Sequence, residues 1–147
     1  MEKYNNKVSL AMESLSQNES LARTVVAAFI APLDPSIEVL TDVKTAVSEA
    51  VTNAVIHGYA SDDIESSSKG LIIVELEIVD GELKVGVSDQ GAGIEDINQA
   101  MEPLYTTKPD MERSGMGFTV MESFMDGIKV HSTPGVGTTV EMVKRLI

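Results

Sequence analysis

Leu83-Lys84-Val85-Gly86-Val87-Ser88-Asp89-Gln90-Gly91-Ala92-Gly93 is the stretch that decides the fold. Its first six residues form a strand-like run, which Asp89, Gly91 and Gly93 close with a D-x-G-x-G turn. A carboxylate at a strand end can accept a hydrogen bond from an exocyclic amine such as the adenine 6-amino group. Glycines beside it let backbone approach a ring without a Cβ. A plain Asp-Gly turn uses the same residue types, so the motif needs company. Upstream, Glu49 and Asn53 stand four apart in Glu49-Ala50-Val51-Thr52-Asn53. Downstream come Ser114-Gly115-Met116-Gly117-Phe118 and then Gly137-Thr138-Thr139. These pieces in this order describe a nucleotide pocket. No Walker-type loop, a Gly-rich turn ending in Lys and Ser or Thr, occurs anywhere in the chain.

The elements around the turn follow from period and punctuation. Val8, Leu10 and Met12 alternate with polar residues, as in a half-buried strand. Ser16-Gln17-Asn18-Glu19 has the form of a capping box opening a helix that runs to Ile30 and stops near Pro32. A second helix is expected from Asp34-Pro35-Ser36, with Pro in its first turn. Its apolar positions Ile37, Leu40, Val43, Val47, Val51, Ala54 and Val55 recur at threes and fours, and Gly58 is the stop. Residues 60 to 69 are polar and loop-like. Leu71 to Val79 and Leu83 to Ser88 are strands joined at Asp80-Gly81, a hairpin signal. A short helix is expected around Glu95 to Met101, then an aperiodic loop from Glu102 to Arg113 and a helix from Gly117 to Met125. Ile128 to Ser132 and Thr138 to Arg145 make a last hairpin about Pro134-Gly135-Val136-Gly137. The expected fold class is α+β: a two-layer sandwich with one mixed, mostly antiparallel sheet and helices on one face, in a single domain over 1–147.

Glu49, Asn53 and His57 at i, i+4 and i+8 lie along one helix face beside the apolar stripe, bordering the core. An Asn amide oxygen is a hard ligand suited to Mg²⁺, which keeps most of its waters and takes few protein ligands. A carboxylate one turn away can orient or deprotonate a hydroxyl near that metal. A solvated helix face accounts for the same spacing. His57, next to Gly58, is expected to be a capping cation rather than a ligand. Gly115 and Gly117 precede a helix, where backbone amides can point at phosphate oxygens. Lys108 and Arg113 sit in the loop before them, placed to clamp terminal phosphates, although a Gly-rich cap with two surface charges has the same form.

Composition narrows the function classes. A net charge of -12 argues against direct nucleic-acid binding, which needs clustered Lys and Arg, and suits a basic protein partner or simple solubility. With no cysteine, thiol nucleophiles, thiolate zinc sites and disulfides are excluded. No apolar run approaches membrane-spanning length, and the N-terminal residues lack a signal pattern, so a cytoplasmic protein is expected.

Taken jointly, the motifs resemble the ATPase family shared by gyrase, a heat-shock chaperone, histidine kinases and MutL. Glu49 to His57 matches its N box, Asp89 to Gly93 and Arg113 to Phe118 its two glycine boxes, and Gly137 to Thr139 its final box. The likeness spans nearly the whole chain and implies a Bergerat-type ATP/ADP pocket with Mg²⁺ on Asn53, adenine on Asp89, and a lid from about Ile94 to Ser114. Ser16 to Ser20, Ser48 to Ala54, Pro103 to Pro109 and Glu112 to Phe118 resemble more closely the anti-sigma kinases of spore-forming bacteria.

That resemblance implies a homodimer that holds a sporulation sigma factor inactive and phosphorylates an anti-anti-sigma protein on serine. It makes Glu49 the general base and Arg23 part of the partner-binding surface. Gly91, Gly93, Thr107, Lys108, Arg113, Ser114, Gly115, Met116, Gly117 and Thr138 become nucleotide contacts, with Arg113 on the γ-phosphate. The loop at Ser61 to Lys69 is somewhat enlarged, and the segment before Val8 diverges. The alternatives are a stress-response anti-sigma kinase with another sigma partner and a nucleotide-gated binding module without kinase activity. A histidine-kinase catalytic fragment would share the pocket but bring a helical phosphoacceptor segment, in which neither His57 nor His131 sits. A chaperone or topoisomerase ATPase would carry large further domains.

Overall fold

Leu71-Ile72-Ile73-Val74-Glu75-Leu76-Glu77-Ile78-Val79 sets the geometry of the sheet: Ile72, Val74, Leu76 and Ile78 are buried while the alternate residues are not. The computed structural model describes residues 4–58, 70–90 and 117–147. In order these form β1 (Asn6–Glu13), α1 (Asn18–Ile30), a 3-10 turn (Ala31–Leu33), α2 (Ile37–Asn53), a π turn (Ala54–Gly58), β2 (Leu71–Val79), β3 (Glu82–Asp89), α3 (Gly117–Phe124), β4 (Gly127–Thr133) and β5 (Gly137–Arg145). The five strands are ordered β1-β2-β3-β5-β4, and every pairing among them is antiparallel. This meets the expected α+β class with a mostly antiparallel sheet.

One sheet face packs on the helices. Its rows Ile72–Ile78, Leu83–Val87 and Val140–Met142 meet Val26 and Ile30 of α1, Val43, Val47 and Val51 of α2, and Met121 of α3 in one core. The opposite face carries exposed Glu75, Lys84, Lys129 and Glu141. The β2–β3 hairpin turns on Asp80 (φ 52) and Gly81 (φ 79), the two left-handed residues that a type I′ turn requires. Residues from both ends of the chain close on this corner. Asp80 N–H donates to Asn5 Oδ1, Arg145 Nη1 donates to the Asp80 carbonyl, and Leu146 N–H donates to the Gly81 carbonyl.

Three local expectations are corrected. The capping box at Ser16–Glu19 does not form: Gln17 is the N-cap of α1 and offers no side-chain cap. The Glu19 carboxylate instead accepts from Ser48 Oγ on α2, so a contact 29 residues away outcompetes the local one. Pro35 lies just before α2 rather than in its first turn. Ser36 is the N-cap, and its Oγ accepts from Val39 N–H. Finally, the turn Ala54–Gly58 that ends this segment is π rather than α, with i→i+5 bonds in place of the 3.6-residue period expected up to Gly58.

Lys144 ties three elements together. Its Nζ lies 3.3 Å from Asp42 Oδ2 on α2 and donates at 2.6 Å to the Phe124 carbonyl at the end of α3. Both side chains of the ion pair are more than four-fifths buried. Lys144→Ala leaves Asp42 and that carbonyl without this cation, and a loss of about 1–3 kcal/mol is expected. Urea unfolding should show a lower midpoint at an unchanged slope. A midpoint equal to that of the parent protein would contradict the role given to Lys144.

Candidate functional site

The site forms where α2 ends, α3 begins and β3 meets β5. The apolar stripe of α2 buries Ala46, Val47, Ala50 and Val51, which leaves half-buried Glu49 and, one turn on, Asn53 at the edge of the core. Asn53 is the buried polar residue of the described core, at 9% exposure. Its Oδ1 is fully enclosed and accepts no hydrogen bond among the described residues. A buried acceptor left unsatisfied costs about 1–3 kcal/mol, so this atom calls for an electropositive partner.

Gly117, the first residue of α3, lies directly on this amide. A Cβ at position 117 would stand 2.9 Å from Asn53 Nδ2 and 3.0 Å from Oδ1, so a side chain there would displace Asn53. The second glycine-rich motif is thereby brought against the N-box residue at its Gly117 end. A single enclosed amide oxygen is the kind of donor Mg²⁺ takes when waters and phosphates supply its remaining ligands. Among the described residues no group of three His, Asp or Glu side chains gathers into a metal cage.

Asp89 ends β3 on the row that continues Leu83, Val85 and Val87, the helix-facing side, and stands opposite Thr138 of β5. Thr138 Oγ1 lies 2.8 Å from Ser132 Oγ of β4. On the other face Ser88 Oγ lies 3.0 Å from Thr139 Oγ1. Asp89 and Thr138, two residues singled out in the sequence, therefore sit side by side. Gly137 makes this approach possible. It has φ +145°, and a Cβ on it would fall 2.2 Å from the Asp89 carbonyl oxygen.

Arg23 stands apart from this pocket on α1, with its side chain 43% exposed. Its Nε is 3.4 Å from Glu19 Oε1, and its Nη2 donates to Ser20 Oγ at 3.2 Å. Gly91, Gly93, Thr107, Lys108, Arg113, Ser114, Gly115 and Met116, together with the lid segment from 94 to 114 and the short helix at 95 to 101, lie outside the described residues. The sequence reading missed the hydroxyl of Ser132, the clamp between Glu19 and Ser48, and the close approach at Gly137. For Gly137 a signal existed in the Gly-Thr-Thr run, but its meaning depends on the register with β3.

Residues 12–144 match the model of the histidine kinase-like ATPase domain. The chain belongs to that family, which carries ATP or ADP binding with it. Within it, the chain is 58% identical to the anti-sigma F factor of Clostridium botulinum (strain Alaska E43 / Type E3) over 97% of its own length and 96% of the relative's. The anti-sigma F factors of Clostridium beijerinckii and Shouchella clausii are 54% and 53% identical, over 95% and 96% of this chain and 94% and 93% of theirs. Likeness at this level over nearly the whole length places the chain among the anti-sigma F factors. A crystal structure of the RsbU and RsbW domains of a Mycobacterium tuberculosis protein superposes with a TM-score of 0.68 at 22% identity. The match covers 96% of this chain and 32% of that one, and it supports the fold. Among the described residues no helix is long and apolar enough to cross a membrane.

Proposed function

We propose that this chain is an anti-sigma factor that holds a sporulation sigma factor inactive and, using Mg-ATP, phosphorylates an anti-anti-sigma protein on serine. The observation that carries the kinase reading is the pairing on α2: a half-buried carboxylate, Glu49, one turn before an enclosed and unsatisfied amide oxygen, Asn53 Oδ1. Asn53 would hold Mg²⁺, which when bound neutralises charge on the phosphates. Asp89 would accept the adenine amine at the end of β3, with Thr138 beside it. The serine oxygen bonds to the γ-phosphorus as the bond to the bridging oxygen breaks, and ADP leaves. The hydroxyl proton passes to Glu49. Lys108 and Arg113 would face the terminal phosphates, and the glycines at 91, 93, 115 and 117, with Thr107, Ser114 and Met116, would line the nucleotide.

Arg23, exposed on α1, would belong to the partner-binding surface. Strand β1 is an edge of the sheet, pairing with β2 alone among the described strands, and Val8 on it is 36% exposed. An unpaired strand edge suits pairing with a second copy, so β1 is the proposed dimer contact. The net charge of -12 fits basic protein partners and no direct nucleic acid.

Transfer of labelled phosphate from ATP, in the presence of Mg²⁺, to a purified anti-anti-sigma protein tests the proposal. Label on its serine is the expected result. ATP binding without label would leave a nucleotide-gated binding module instead. Binding to a stress-response sigma factor in preference to the sporulation one would move the chain to the related kinase. Asp89→Asn replaces a carboxylate acceptor with an amide, and ATP affinity should fall about tenfold, as for one lost hydrogen bond to a charged group. Competition binding should also show a smaller preference for ATP over GTP. An unaltered preference would remove Asp89 from adenine recognition.

A further inference from the structure

Ser48 directly precedes Glu49 on α2, and its half-buried hydroxyl is spent on another helix: it donates to Glu19 Oε1 of α1. The same carboxylate oxygen lies 3.4 Å from Arg23 Nε, so Glu19 is held from both sides. Its own side chain is only 22% exposed. The contact is a polar bond between α1 and α2, two helices that also share the apolar core side chains Ala22, Val26, Val43 and Val47. Apolar packing sets the distance between two helices. A directional bond to a fixed carboxylate also sets rotation and axial position.

We infer that the Glu19–Ser48 pair is a positioning device for phosphoryl transfer, fixing the rotation of α2 so that the carboxylate on the next residue, Glu49, meets the substrate hydroxyl. The roles proposed above give neither Glu19 nor Ser48 a nucleotide contact. They act through the helix that carries Glu49, and the inference rests on Glu49 having the role given above. Two further features agree with it. Glu19 is diverted from its local capping position to make this bond, leaving the α1 N-terminus without a side-chain cap. Arg23, which shares the oxygen, lies on the surface assigned to the protein partner.

The test is steady-state transfer to the anti-anti-sigma protein by Ser48→Ala, Glu19→Ala, Glu19→Gln and the Ser48→Ala/Glu19→Ala double variant, with ATP affinity measured on each. Slight misplacement of a reacting group lowers the rate without altering ground-state binding, so Ser48→Ala should lose about tenfold in kcat. ATP affinity should stay unchanged. Glu19→Gln keeps an oxygen that accepts from Ser48 and should retain kcat close to that of the parent, while Glu19→Ala falls to the Ser48→Ala level. The double variant should be no slower than either single one, because both remove one bond. Additive losses, or a Glu19→Gln variant as slow as Glu19→Ala, would overturn the pair as a positioning device. So would an unchanged kcat in Ser48→Ala when the parent protein is active. Failure of the parent protein to transfer phosphate at all would instead overturn the kinase reading, and this inference with it.

Discussion

Glu49→Gln should bind ATP as tightly as the parent protein and lose serine phosphorylation by about 10²–10⁴-fold, the range for removing a positioned general base. The substitution is nearly isosteric, so the packing of Ala46, Ala50 and Val51 beside it on α2 is undisturbed. What changes is that an amide cannot take the hydroxyl proton. Nucleotide contacts reside elsewhere in the proposal, on Asp89, Asn53 and the glycine-rich motifs, which is why binding and turnover should separate. Equilibrium binding of labelled ATP and a single-turnover transfer assay on the same preparation give both numbers. Equal turnover in the two proteins would take the base role from Glu49, and loss of both binding and turnover would make it a structural residue.

Gly137→Ala should be the most damaging single-methyl change in the described fold. Two costs coincide. The backbone at φ +145° is outside the region an L side chain adopts readily, and the new Cβ would meet the Asp89 carbonyl oxygen at 2.2 Å and the Gln90 Cα at 2.8 Å. Neither neighbour is a side chain that can swing aside, so β3 and β5 must part. A loss of about 3–5 kcal/mol is expected, and a fall in Tm of roughly 6–20 °C follows for a chain of this length. Gly135, in the same turn, provides the control. Its φ is +80° but nothing lies within 4 Å of its Cβ position, so Gly135→Ala should show the conformational cost alone, about 1 kcal/mol. If the two variants melt together, the contact with Asp89 is not what requires glycine at 137. Because the displaced atoms belong to Asp89, a surviving Gly137→Ala protein should also bind ATP more weakly.

Short-range signals carried much of this structure into the sequence. Asp80-Gly81 announces a two-residue hairpin because left-handed backbone is needed at both positions, and the β-rich runs Leu71 to Val79 and Leu83 to Ser88 mark its two strands. The i, i+3, i+4 spacing of α2 likewise identifies the buried side, and with it the border position of Glu49 and Asn53. What was not legible depends on distant partners. Glu19 has the form of a capping residue, and only the fold shows Ser48 taking its carboxylate. Lys144 alternates as an ordinary strand residue until Asp42, 102 positions earlier, is brought beside it. The enclosure of Asn53 Oδ1 and the pressure of Gly117 against it arise from α2 meeting α3, which no local period encodes.

The corner at Asp80-Gly81, where Asn5, Arg145 and Leu146 converge, has a practical consequence for experiments on this molecule. Asp89 lies at the other end of the eight-residue β3, roughly 25 Å away at the rise of an extended strand. A fluorophore at Tyr4 or Ile147, or a tether anchoring the protein to a sensor surface, would sit remote from bound nucleotide. Signals from such a probe would test the proposed subunit association and partner binding without optical or steric interference from ATP. Both attachment points would also share one location, so readings from either flank should agree.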